Sequence, residues 1–156
     1  MQLHLISVGT RMPKWAADAY EEFAKRLPHE CRIRLHEIAA VKRTKNSDPN
    51  KCMVEEGERM LATIPKGALI VTLDVKGKQY SSEELSSLLQ KWMADGPDVA
   101  LLIGGADGLS KDCLQKANSS LSLSKLTMPH MLVRVVLAEQ IYRAWSISRS
   151  LPYHRA

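Results

Sequence analysis

A chain of 156 residues suits one domain with a sizeable core and leaves little for a second, so a single domain spanning 1–156 is expected. With 45% hydrophobic and 25% charged residues, the composition excludes disorder throughout. The formal net charge of +5 favours polyanionic partners, since lysine and arginine release counterions when they neutralise phosphates, and no apolar stretch approaches the roughly 20 residues of a membrane span.

Met1-Gln2-Leu3-His4-Leu5 leads directly into a strand-like run without a cleavage-site pattern, so no signal peptide is read and a cytoplasmic home is expected. The run Leu3–Val8 closes on Gly9-Thr10, as a strand entering a turn does. Pro13 opens an amphipathic helix over 14–27, with Ala16, Ala19, Tyr20, Phe23 and Leu27 at helical spacing. Residues 32–38 alternate like a half-buried strand, and 41–50 read as an irregular basic loop. Asp48 before Pro49 starts a helix running to Ala62, with Val54, Gly57, Met60 and Leu61 on its apolar side.

The nearly unbroken apolar run 68–74 predicts a strand covered on both faces. Ser81 with Glu84 forms a capping box ahead of Leu85, Leu88, Leu89, Trp92 and Met93, and Val99–Ile103 is a second buried strand. A short helix over 110–117, a short strand over 121–123 and the longest helix over 131–148 complete the order. Alternation of strands and helices predicts an α/β fold, a mainly parallel sheet with helices on both faces. Cys31, Cys52 and Cys113 are odd in number and widely spaced, matching neither a disulfide framework nor a zinc site, so no metal is expected. Trp15, Trp92 and Trp145 fall on helical patterns and are read as core or interface packing.

Four stretches carry candidate chemistry. Ile103-Gly104-Gly105-Ala106-Asp107-Gly108 follows a buried strand, where glycines let a ligand approach the backbone at the carboxyl end of a sheet. Its spacing is neither the dinucleotide fingerprint nor a phosphate loop, and two such glycines are most often a tight turn. Residues 123–130, Leu-Ser-Lys-Leu-Thr-Met-Pro-His, form a hydroxyl-rich loop able to bond a ligand through its backbone, or simply a turn in which Thr127 caps locally and His130 begins the helix. Glu139 and Arg143 share a helix face, by default as an exposed ion pair, and become a proton acceptor and a phosphate or base contact only if that face borders the Gly104 turn. Lys42, Arg43, Lys45 and Lys51 are either phosphate contacts or a solvated loop, and Tyr153-His154-Arg155 is either an RNA contact or a frayed terminus.

Taken together, Ser7-Val8-Gly9-Thr10, Lys42-Arg43-Thr44-Lys45-Asn46, Leu101-Leu102-Ile103-Gly104-Gly105, Leu126-Thr127-Met128-Pro129-His130, Tyr142-Arg143-Ala144-Trp145 and Pro152-Tyr153-His154-Arg155 resemble the SPOUT methyltransferases. Within that class they are similar to the small enzymes that methylate ring N3 of a pseudouridine in large-subunit (23S) ribosomal RNA. The resemblance implies a C-terminal deep trefoil knot and a homodimer, neither of which periodicity shows. It also implies S-adenosyl-L-methionine as cofactor, held by Leu73, Gly104, Gly105 and the run Leu123, Ser124, Lys125, Leu126, Thr127 and Met128. Ala106-Asp107 stands where some relatives carry Pro-Glu, and Ser150 where glycine is frequent, departures that bear on loop conformation.

Methyl transfer to N3 requires an acceptor for the ring proton or a stabiliser of the anion. Glu139 or His154 is the candidate base, while Arg143, Arg155 and His130 are candidate positioning groups, with a composite site across the dimer if the tail reaches a neighbour. Two rivals stand beside this reading: a noncatalytic ribosome-binding α/β module using 42–51, and a nucleotide hydrolase using the Gly104 turn. The chain has neither a Gly-x-Ser-x-Gly elbow nor a Gly-Lys-Ser/Thr loop, which counts against the common hydrolases.

Overall fold

The computed structural model describes residues 1–154. Its regular elements are β1 (Leu3–Val8), α1 (Lys14–Ala24), β2 (Ile33–Ile38), α2 (Pro49–Thr63), β3 (Leu69–Gln79), α3 (Ser82–Asp95), β4 (Val99–Ile103), α4 (Lys111–Lys116), β5 (Ser119–Ser122) and α5 (His130–Ser148). The strands form one five-stranded sheet in the order β2-β1-β4-β3-β5, every pair parallel. Each strand therefore needs a crossover, and the helices supply them.

Strand alternation divides the interior into two layers. Leu3 and Leu5 of β1, with Val99 and Leu101 of β4, face α1, α3 and α5, joining Tyr20, Leu89, Trp92, Leu137 and Ile141. Ile6 and Val8, with Ala100 and Leu102, face the other way toward Met60 of α2 and Cys113 of α4. Helices thus cover both faces, as the alternation of elements predicts. All three cysteines are free and buried.

Local chemistry sets most of the element ends. Asp48 accepts from the Asn50 amide with Pro49 in the first turn of α2, and the Ser81–Glu84 capping box is complete at the start of α3. α1 stops at Ala24, three residues short of the predicted end, as Arg26 and Leu27 donate to the carbonyls of Phe23 and Ala24 in a tightened turn that still buries Leu27. Trp15 is 59% exposed, so it is no part of this chain's core, because the buried stripe of α1 is Ala16, Tyr20 and Ala24 and Trp15 is rotated off it. Val54 is exposed for the same reason: α2 buries Cys52, Glu56, Gly57 and Met60, and Val54 is on the opposite side.

β3 departs most from expectation. It continues to Gln79, and only Val71 and Thr72 within it are fully buried, so coverage on both faces is confined to its middle. Leu121 of β5 pairs with both Leu73 and Lys78, so the residues between them bulge out of the ladder. Gly77 makes this geometry feasible: a Cβ there would lie 2.7 Å from the Leu121 carbonyl carbon.

α5 is apolar around its circumference and packs against both α1 and α3. Among its buried residues is Arg134, fully inaccessible, which donates to Ser7 Oγ at 2.9 Å, Glu37 Oε2 at 2.9 Å and the Gly9 carbonyl at 2.7 Å. One guanidinium thereby fastens α5 to the end of β1 and to β2. At its other end, α5 closes with Ser150 at φ +54°, and the Ser150 and Leu151 amides donate to the carbonyls of Ile147 and Ser146. Serine thus adopts the left-handed conformation that glycine supplies more cheaply, and the cap survives the departure from glycine.

Arg134→Ala is expected to destabilise the fold by about 3 kcal/mol, the low end for breaking a buried pair, since Glu37 remains partly in water. Urea unfolding of the two proteins at pH 7 measures the difference.

Candidate functional site

Neighbouring strands β1 and β4 send the chain in opposite directions: α1 leads from β1 to β2 at one edge, and α4 leads from β4 past β3 to β5 at the other. Crevices at the carboxyl ends of such strands are where open α/β sheets bind ligands. A cavity of about 930 Å³ lies there, lined by Val8 and Gly9 after β1, Leu73 to Lys76 from the β3 bulge, and Ile103 to Leu109 after β4. Leu123, Ser124, Leu126, Thr127, Met128, Pro129 and His130 complete the wall. Small-molecule sites span ~300–1,000 Å³, so the volume suits a cofactor-sized ligand.

The Gly104 turn is held by its own backbone. Gly108, at φ +85°, donates to the Gly105 carbonyl at 3.1 Å, and the two glycines form an isolated bridge. A Cβ on Gly104 would stand 2.5 Å from the Gly108 carbonyl carbon, and one on Gly105 would meet Val8 and Glu56. Both glycines serve the turn's packing as well as the cavity wall, so the turn reading and the ligand reading of this motif describe one object.

In the 123–130 segment the local bonds come from serines. Ser122 Oγ donates to the Ser124 carbonyl at 3.0 Å, and Ser124 Oγ accepts from the Leu126 amide at 3.0 Å. α5 begins at His130, as the turn reading of this segment expects, with Pro129 as its N-cap and no side-chain cap bond. Lys125 is exposed and outside the lining, whereas its neighbours on either side contribute to it. Leu73, named from the resemblance, lines the cavity where β3 leaves its ladder.

His130 begins α5 with its ring against Gly9, whose absent Cβ would be 2.6 Å from the imidazole Cε1. Its Nδ1 is buried without a partner. Desolvation, and then the Arg134 guanidinium one turn along, hold its pKa below the ordinary 6.5, so the ring is neutral at pH 7.

The basic loop is divided by the structure. Arg43 is bound to Glu56 and Asp107, so it is not a free phosphate contact, while Lys42, Lys45 and Lys51 are exposed. Sequence spacing missed Glu56, 2% exposed within an otherwise apolar stripe, and Asp107, which belongs to the glycine turn itself. It also missed Asp74 and Lys76, which enter the lining only because β3 bulges.

Glu139, Arg143 and His154 are not among the residues lining this cavity. Glu139 is nine residues beyond His130, about 13 Å along the helix at 1.5 Å per residue. The Glu139–Arg143 pair is not an exposed surface pair: the two side chains are 17% and 25% accessible and joined at 2.6 Å. Tyr153 donates to Glu139 Oε1 at 2.9 Å and lies under the Arg143 guanidinium, so the tail is docked on α5 rather than frayed. His154 Nε2 is 3.4 Å from Glu83, and its Nδ1, like Trp145 Nε1, is buried without a partner. Arg155 lies outside the described residues. Among the described residues no cluster of three or more His, Cys, Asp or Glu side chains is arranged to hold a metal ion.

Gly104→Ala is expected to force the turn apart, seen as faster amide exchange at Gly108. The depressed His130 pKa carries a sign: the unfolded chain takes up its proton first, so the neutral ring leaves stability intact above pH 6.5 and reduces it as pH falls below that value. His130→Asn should flatten this acid dependence, which thermal melts between pH 5 and 8 would record.

Residues 1–154 match the family model described as "Predicted SPOUT methyltransferase". Over 155 residues the chain is 54% identical to "Ribosomal RNA large subunit methyltransferase H" of Methylococcus capsulatus, covering 99% of this chain and 100% of that protein. The protein of the same name from Thioalkalivibrio sulfidiphilus is 56% identical over 155 residues, covering 99% of each chain. A solved structure of "a probable methylase family protein" from Haemophilus influenzae superposes with a TM-score of 0.54 at 11% identity, covering 99% of this chain and 70% of that one, a likeness of fold alone. With the full-length family match and relatives above half identity, the chain belongs to the SPOUT methyltransferase family.

Proposed function

We propose that this protein transfers a methyl group from S-adenosyl-L-methionine to ring N3 of a pseudouridine in large-subunit (23S) ribosomal RNA, acting on the assembled ribosome in the cytoplasm. The observation that carries the reading is the gathering of Leu73, Gly104, Gly105, Leu123, Ser124, Leu126, Thr127 and Met128 around one cavity at the switch between β1 and β4. The names of the relatives supply the ribosomal substrate class. No helix among the described residues is long and apolar enough to cross a membrane.

The cavity fits the cofactor in kind. Leu73, Leu109, Leu114 and Val133 offer apolar surface that would suit a purine, and the Asp74 carboxylate at the wall would suit a cationic group. The bound cofactor supplies an electrophilic methyl on a sulfonium. The glycine turn and the 123–128 segment would hold it, with Lys125 exposed beside the cavity, and holding two reactants in register supplies on the order of 7–11 kcal/mol of a transfer barrier. His130, neutral and with an unused Nδ1, is a hydrogen-bonding group at the cavity wall.

The distance of Glu139 and the tail from the cavity of their own subunit supports a homodimer in which these groups serve the neighbour's cavity, with the C-terminal segment in the family's trefoil knot. Within the cluster, Glu139 already accepts from Arg143, Tyr153 and Gln140, which favours it as the anchor of Arg143. His154 retains a free Nδ1, which favours it as acceptor of the N3 proton, with Arg143 and Arg155 stabilising the uracil anion. The whole chain, 1–156, is read as the single domain that does this.

Transfer of labelled methyl to purified ribosomes lacking the modification, followed by mapping of the labelled nucleotide, tests the proposal. Label on N3 of one pseudouridine is the expected result, and His154→Ala should lower kcat by about 10²–10⁴-fold with cofactor affinity unchanged. A folded protein that binds ribosomes yet transfers no label would leave the noncatalytic module in its place.

A further inference from the structure

We infer that Arg43 is a positioning residue that clamps the basic loop 41–47 to the Gly104–Gly108 turn, making cofactor affinity and loop order one linked equilibrium. The inference rests on the reading of this cavity as the S-adenosylmethionine site.

One guanidinium joins three segments. Arg43 Nη1 and Nη2 grip Glu56 of α2 at 2.7 and 3.0 Å, Nη1 also meets the Val41 carbonyl at 3.0 Å, and Nε reaches Asp107 at 2.9 Å. Glu56 is 2% exposed, takes a further bond from the Val41 amide at 3.0 Å, and its Oε1 would be 3.1 Å from a Cβ on Gly105. The carboxylate is therefore wedged directly beneath the glycine turn, and its charge is compensated by the loop. Arg43 and Asp107 themselves line the cavity.

Geometry explains why the residue is arginine. A planar fork with several donors engages two carboxylates and a carbonyl at once, which the single ammonium of lysine cannot reproduce at the same three places. One guanidinium between two carboxylates leaves the cluster a net anion, so an RNA phosphate is directed past Arg43 to Lys42 and Lys45, exposed on the same loop. A phosphate settling on the loop then fixes Arg43, Arg43 fixes Asp107, and Asp107 fixes the turn against which the cofactor lies. Coupling of this kind is reciprocal: the cofactor must order the loop as far as the loop favours the cofactor. Asp107 is thus the outer jaw of the clamp.

Titration calorimetry with S-adenosylmethionine on the full chain, with Asp107→Asn, Arg43→Lys and the double variant, reads the clamp. Each single change is expected to weaken binding roughly three- to fivefold, the size of an ion-pair contact of this exposure, and the double variant to be no weaker than the worse single. Amide exchange should slow across 41–47 when cofactor binds the parent, and not in Asp107→Asn. Full affinity in Asp107→Asn, losses that multiply in the double variant, or an unresponsive loop in the parent would each overturn the inference. A parent that binds no S-adenosylmethionine would instead overturn the reading of the site. If Arg43→Lys fails to fold, Arg43→Gln with Glu56→Gln removes both buried charges together and takes its place in the cycle.

Discussion

Parallel pairing of β1 with β4, from Leu3 against Val99 to Ser7 against Ile103, is the constraint from which the site follows. Because parallel strands end at the same edge, the turns after Val8 and Ile103 emerge side by side, and because their crossovers diverge, nothing fills the space between them. The β3 bulge and the β5–α5 connection close the remaining sides. The cavity is thus a product of topology, and its lining combines the glycine turn with apolar side chains such as Leu73, Leu109 and Leu114, beside strands whose residues are fully buried.

Features fixed by neighbours in sequence were the ones legible beforehand. The Ser81–Glu84 box, Asp48-Pro49 and the glycine turn each depend on contacts within a few residues, and the buried strands β1 and β4 announce themselves by short, largely apolar runs, so their patterns predict them well. The register jump in β3 was illegible because it is negotiated with β5, 43 to 48 residues away in the pairs Lys78 to Leu121 and Val71 to Ser119. Helix periodicity identified α1 and α2, yet the choice of buried stripe depends on which neighbour a helix meets, and that is how Trp15 and Val54 came to face outward.

Charged residues were the hardest to read. Nothing in sequence tells Arg43, in a basic loop, from Arg134 and Arg143, on a largely apolar helix, as to which would be buried or paired. Burial then separates them: Arg134 is sealed under α5, Arg43 is held between two carboxylates, and Arg143 shares Glu139 with a tyrosine from the tail. The candidate cofactor residues came from family resemblance and from the glycine signal, whereas nothing local marks Glu56, Asp107 and Glu37 as partners of Arg43 and Arg134. Their roles arise from sequence separations of 64 residues between Arg43 and Asp107 and 97 between Arg134 and Glu37.

Ser150 sets the direction in which residues 151–154 leave α5. A glycine there would relax the backbone, but it would also let the tail sample many more headings while undocked. Serine accepts strain on the order of 1 kcal/mol and in return narrows that search. The heading fixed at Ser150 is the one from which Tyr153 meets Glu139 and Arg143.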